Sequence, residues 1–129
     1  MAPITALYAG LHALLLLGLV APIVLARYRH GVGIGDGGHG DLQRAIRVHG
    51  NAVEYVPTVL ILLLLFEMNG GPGWAAHLAG AGFFVSRCAH AWGLSHSSGR
   101  TLGRALGTLG TWLILVALAL ADIGLGLVG

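Results

Sequence analysis

The chain has 129 residues, of which 56% are hydrophobic and 9% charged, and its mean hydropathy is +0.82. This leaves too little polar surface for a soluble domain of the same size and points to an integral membrane protein. The formal charge of +2 comes from seven arginines, with no lysine, against five acids; so small an excess is no solvated basic surface, and nucleic acid is not an expected partner.

Four apolar segments follow one another, at about residues 3–29, 41–67, 73–94 and 100–128. Each has the roughly 20 residues needed to cross about 30 Å of hydrocarbon as a helix. The fold class expected is therefore all-α, a single domain forming an integral membrane four-helix bundle. The first segment has no basic residue before it and exceeds a typical signal-peptide core, so a cleaved leader is not expected. Between the first two segments, GVGIGDGGHG at residues 31–40 reads as a flexible loop. It contains a GxGxxG match, but no βαβ unit surrounds it and no dinucleotide site is inferred.

The second segment opens on the most informative residues. Arg44, Arg47, Asn51, Glu54 and Tyr55 fall within an arc of roughly 100° on a helix, because each residue turns the chain by about 100°. Ionisable groups entering a membrane are costly and normally face a bundle interior or a cavity. Arginine offers a rigid fork of donors for carboxylates, Asn51 both donates and accepts, and Glu54 accepts from an ammonium group. Together they suit a zwitterionic ligand. The competing reading is an internal Arg47–Glu54 network that only fixes helix packing.

Asn69-Gly70-Gly71-Pro72-Gly73 breaks the chain before the third segment. That segment carries Arg87 and His90, an i,i+3 pair that either snorkels to the headgroups or lines the same polar cleft. Cys88 is expected to be a small buried core residue, and His12 and His77 to be packed or interfacial. Ser97 or Ser98 is expected to cap the fourth helix. Arg100 and Arg104 would then form an i,i+4 pair on its first turns, continued by Thr108 and Thr111 as a cleft wall. An arginine beside a bound thiol favours thiolate, the nucleophilic form, so either is a candidate catalytic residue. Gly103 and Gly107 form GxxxG, and Ala76 and Gly80 a small-xxx-small pair, both suited to close helix packing in lipid. Every arginine flanks the first or third loop; the positive-inside rule puts those loops in the cytoplasm and both termini outside.

The run Arg47-x-x-x-Asn51-x-x-Glu54-Tyr55-x-Pro57, followed by Arg87 and His90 and then by arginines entering a fourth helix, resembles the MAPEG family, the membrane-associated proteins in eicosanoid and glutathione metabolism. The Gly35-Asp36-Gly37-Gly38 loop and the run Ala45–Tyr55 look closest to its small bacterial inner-membrane branch. The resemblance covers nearly the whole chain. It implies a homotrimer in lipid, with glutathione as bound thiol co-substrate between subunits and a lipophilic small molecule as acceptor. By position it implies glutathione contacts from Arg27, Arg47, Asn51, Glu54 and Tyr55, with Arg87 and His90 lining the same site; Arg44 is expected to join them from its place on the helical stripe. The arginine that stabilises thiolate falls to Arg104, with Arg100 beside it. Leu94 and Thr108 stand where catalytic members carry tyrosines. The expected function is thus a glutathione transferase or peroxidase; the competing ones are a binding or assembly module without chemistry and a small transporter subunit.

Overall fold

A computed structural model describes residues 1–128. Among the described residues there are four helices: α1 (Pro3–His30), α2 (Gly40–Met68), α3 (Gly73–His96) and α4 (Leu102–Val128). The all-α bundle expected from hydropathy is the one observed. α1, α2 and α4 are long and apolar enough to cross a membrane. The 24-residue α3 is less apolar, because it carries three histidines, Arg87 and many small residues. α2 and α3 each pack against all three other helices, whereas α1 and α4 do not touch each other. The side helices present leucine, valine and isoleucine outward, as hydrocarbon requires, while α3 turns glycine and alanine toward protein.

The most extensive packing is between α3 and α4. A side chain on Gly107 would lie 2.5 Å from the Ser86 carbonyl oxygen and 2.6 Å from His90 Cβ, so the expected GxxxG glycine permits a backbone approach that alanine would block. Gly80 does the same for α1, whose Tyr8 ring sits where a Cβ would be. The main apolar core gathers Tyr8, Val56, Val59, Leu63, Phe66, Ala76, Phe83 and Leu118 from all four helices. Phe83 is 1% exposed and stacks on His12 at 4.7 Å between ring centroids. His77 meets the Tyr8 hydroxyl at 3.2 Å. Cys88 is half-buried rather than enclosed.

The start of α4 differs from expectation. α4 begins at Leu102, and its first turn is capped by Thr101, whose Oγ1 accepts the Arg104 N–H at 3.2 Å. Ser97 and Ser98 are not caps of α4: Ser97 closes α3. Arg100 consequently lies outside the helix, exposed, and is not an i,i+4 partner of Arg104. At the start of the chain, the first-turn α1 amides of Ile4 and Thr5, which have no partner within the helix, donate to the Glu67 carboxylate at 3.0 and 2.7 Å, a cap supplied from the far end of α2.

Candidate functional site

The loop between α1 and α2 is built to be held in place. Gly31 ends α1 in the left-handed region, φ 65°, a conformation that glycine adopts without strain. The Arg27 Nη1 donates to the carbonyls of Val32, Gly33 and Gly35 at 3.3, 3.1 and 3.1 Å. Asp36 Oδ1 accepts the Gly38 N–H at 2.9 Å, tightening the next turn. Asp41, in the first turn of α2, pairs with His30 Nε2 at 2.9 Å and with Arg29 at 3.7 Å, and the His30 and His39 rings stack at 3.8 Å. The ends of α1 and α2 are thereby pinned together and Gly35 and Asp36 are laid over the start of α2.

Beneath that loop lies a cleft of about 500 Å³, within the ~300–1,000 Å³ of small-molecule sites. α2 lines it with Gln43, Arg44, Arg47 and Asn51, α3 with His90 and Leu94, the α3–α4 loop with Ser98, and α4 with Arg104. The spacing i, i+3, i+7 carries Arg44, Arg47 and Asn51 to one face, as their helical positions require. Asp36 is the one carboxylate among the lining residues, so the cleft is strongly cationic. Arg44 Nε is buried and has no partner among the described residues, so what Arg44 offers the cleft is its terminal Nη groups; Arg104 Nη1 makes long contacts, 3.4 Å each, to the Ser98 and Gly99 carbonyls. Both guanidiniums have donors to spare for a ligand.

Arg104 also borders a second groove, of about 640 Å³, which it shares with Arg100, Ala105, Thr108, Leu109 and Trp112. That groove is largely apolar. One cation thus stands between a polar cleft and an apolar channel along α4.

The other sequence candidates are placed elsewhere. Glu54 lies outside the cleft and takes an Arg47 N–H at 3.3 Å, with both side chains more than half exposed. Tyr55 turns toward α3 and α4: its hydroxyl accepts the Trp112 Nε1–H at 3.0 Å, and Arg87 lies 5.2 Å from its ring centroid. Arg27 is engaged by the loop it clamps. Arg87 neither snorkels nor lines the cleft; it is 2% exposed and donates to Asn51 Oδ1 at 2.6 Å and to the Gly107 carbonyl at 3.3 Å. Thr111 is buried against the same Gly107 carbonyl, at 2.8 Å, and is no part of a cleft wall. Sequence reasoning passed over Asp36, Gln43 and Ser98 as cleft residues. Gln43 neighbours Arg44 and was within reach of a helical-face argument; Asp36 and Ser98 are set by loop geometry and carry no periodic signal.

The chain matches the MAPEG family over residues 5–123. It is 42% identical over 120 residues to the inner membrane protein YecN of Escherichia coli strain K12, covering 93% of this chain and 90% of that protein. The YecN of Escherichia coli O6:H1 gives the same figures. A four-helix membrane bundle of this arrangement, matched over nearly its full length, belongs to the MAPEG family.

Proposed function

We propose that this protein binds glutathione, or a similar acidic thiol, in the cleft beneath the first loop and transfers it to lipophilic electrophiles or uses it to reduce lipid hydroperoxides. The observation that carries this reading is the convergence of Arg44, Arg47 and Arg104, from two helices, on one cleft floored by Asn51 and His90. Cations left open at membrane depth are costly unless a charged guest meets them. Carboxylates of the tripeptide pair with Arg44 and Arg47, and Asp36 at the mouth accepts from its ammonium group. Arg104 faces the sulfur and stabilises thiolate. Each tenfold gain in thiolate fraction takes about 1.4 kcal/mol, within the range of one charge-assisted contact. The lipophilic acceptor reaches the sulfur along the α4 groove, past Leu109 and Trp112.

The assembly is part of the proposal. Arg47 and Glu54 have side chains 59% and 55% exposed on a helix that otherwise crosses hydrocarbon. A homotrimer in which a neighbouring subunit covers them removes that cost. The relative named an inner membrane protein and the arginine distribution favour a bacterial inner membrane location, with the Arg-flanked loops in the cytoplasm and both termini outside. Glutathione conjugation by purified protein in detergent, with Arg104→Ala beside it, tests the reading; equal rates for the two proteins remove Arg104 from the mechanism.

A second reading is favoured by Leu94. It lines the cleft and offers no hydroxyl to the thiol, which suits a binder without transferase chemistry. Saturable glutathione binding with no turnover across a panel of electrophiles selects it.

A further inference from the structure

The cleft floor is set by two side chains, of which only one reaches the cleft. Arg87 is enclosed in α3 at 2% exposure. It donates to Asn51 Oδ1 at 2.6 Å and to the Gly107 carbonyl at 3.3 Å. A guanidinium has five donors and no acceptor. Asn51 must therefore give Arg87 its oxygen; the reverse orientation would set an NH₂ group against a buried cation, leaving both unsatisfied in a low dielectric. The short distance is that of a charge-assisted bond. What remains for the cleft that Asn51 lines is the Nδ2 amide, with its N–H donors.

We propose that Arg87 is a positioning residue which fixes the polarity of Asn51, so that the cleft floor is a hydrogen-bond donor and selects a ligand carboxylate over a carboxamide. This rests on the reading of the cleft as an acidic-thiol site and deepens it, naming the group the floor recognises. An asparagine with no such partner presents either end and discriminates poorly. Here the floor continues the donor character of Arg44 and Arg47 above it. The Arg87 side chain never touches the ligand.

Removing Arg87 outright would strand the Asn51 oxygen and empty the packed centre of the bundle, so Asn51→Asp carries the test. Aspartate has the same shape, still accepts from Arg87, and places a second acceptor in the cleft where a donor stood. Thermal unfolding in detergent serves as the folding control. Binding is measured for glutathione, for each of its two mono-amides and for inorganic phosphate. The native protein is expected to prefer glutathione over one mono-amide by about tenfold, the scale of ~1.4 kcal/mol for one polar contact. In Asn51→Asp that order inverts, the mono-amide binding more tightly than the free acid. A charge effect at a distance repels the free acid and favours both mono-amides alike, whereas a contact at the floor favours only one of them; an inversion shared by both mono-amides, or seen with neither, overturns the proposal. Arg87→Lys keeps the cation and loses the fork; it is expected to lower the same preference to an intermediate value, and a native preference in Arg87→Lys also overturns the positioning role. If the native protein binds none of the tripeptides, the acidic-thiol reading fails, and phosphate decides the floor. Thermal stabilisation by phosphate that disappears in Asn51→Asp supports a donor floor; equal stabilisation of both proteins, or of neither, contradicts it.

Discussion

Glu67 and Arg104 are both charged groups at the ends of long apolar helices, and the structure treats them in opposite ways. The Glu67 carboxylate receives two α1 amides and the Thr5 hydroxyl at 2.7–3.0 Å, so its capacity is spent on holding α1 to α2. Arg104 makes two contacts of 3.4 Å to loop carbonyls and opens onto the cleft. Tyr8 and His77 repeat the first pattern at the Glu67 end, pairing with each other; Arg44 repeats the second, with its Nε unpartnered. His12 Nε2, Arg87 Nε and both Asp122 carboxylate oxygens, none of which lines the cleft, are also buried without a partner among the described residues and depart from this division. The contrast teaches that a polar residue at bilayer depth is not by itself a site. A site is where donors outnumber the protein groups that can receive them.

Substitutions at the two ends should therefore separate stability from chemistry. The largest effect is expected from Phe83→Ala in the shared core, a loss of about 3–5 kcal/mol in unfolding free energy, read by thermal or denaturant unfolding in detergent. The thiol affinity of whatever fraction stays folded should be unchanged. Arg104→Ala should lower glutathione conjugation by roughly 10²–10³-fold, or ~2.7–4 kcal/mol, with native unfolding behaviour; single-turnover kinetics is the check. Glu67→Ala should lower stability by about 1.5–3 kcal/mol through fraying of the first α1 turn, visible as faster amide exchange at Ile4 and Thr5, with native turnover. The smallest effect is expected at Arg100, exposed and outside α4: Arg100→Ala should stay within about 0.5 kcal/mol in stability and within a few-fold in rate. A loss at Arg100 as large as that at Arg104 would erase the distinction between them.

Much of this was legible from the chain. Hydropathy and glycine-rich breaks locate four helices to within two residues at every end, and helical spacing brings Arg44, Arg47 and Asn51 to one face. What the sequence did not carry were choices made in three dimensions. Arg27 looked like a ligand residue, but Gly31 ends α1 and turns three loop carbonyls back to its guanidinium. Arg87 and His90, three residues apart, read as a pair; both are buried, but Arg87 is turned to Asn51 and the Gly107 carbonyl and only His90 borders the cleft. Arg100 fell outside the helix because Thr101, not a serine before it, supplies the cap. Glu54 reads as a ligand residue from its helical face, but it lies outside the cleft and pairs with Arg47, with both side chains more than half exposed.

We propose that the guanidiniums of Arg44 and Arg104, with that of Arg47 beside them, receive an acidic thiol. Calorimetric titration of glutathione into the purified native protein, reconstituted in lipid, tests it most directly. The account predicts saturable binding that weakens as salt is raised, since ion pairs hold the ligand. No saturable heat, or an affinity indifferent to salt, would contradict it.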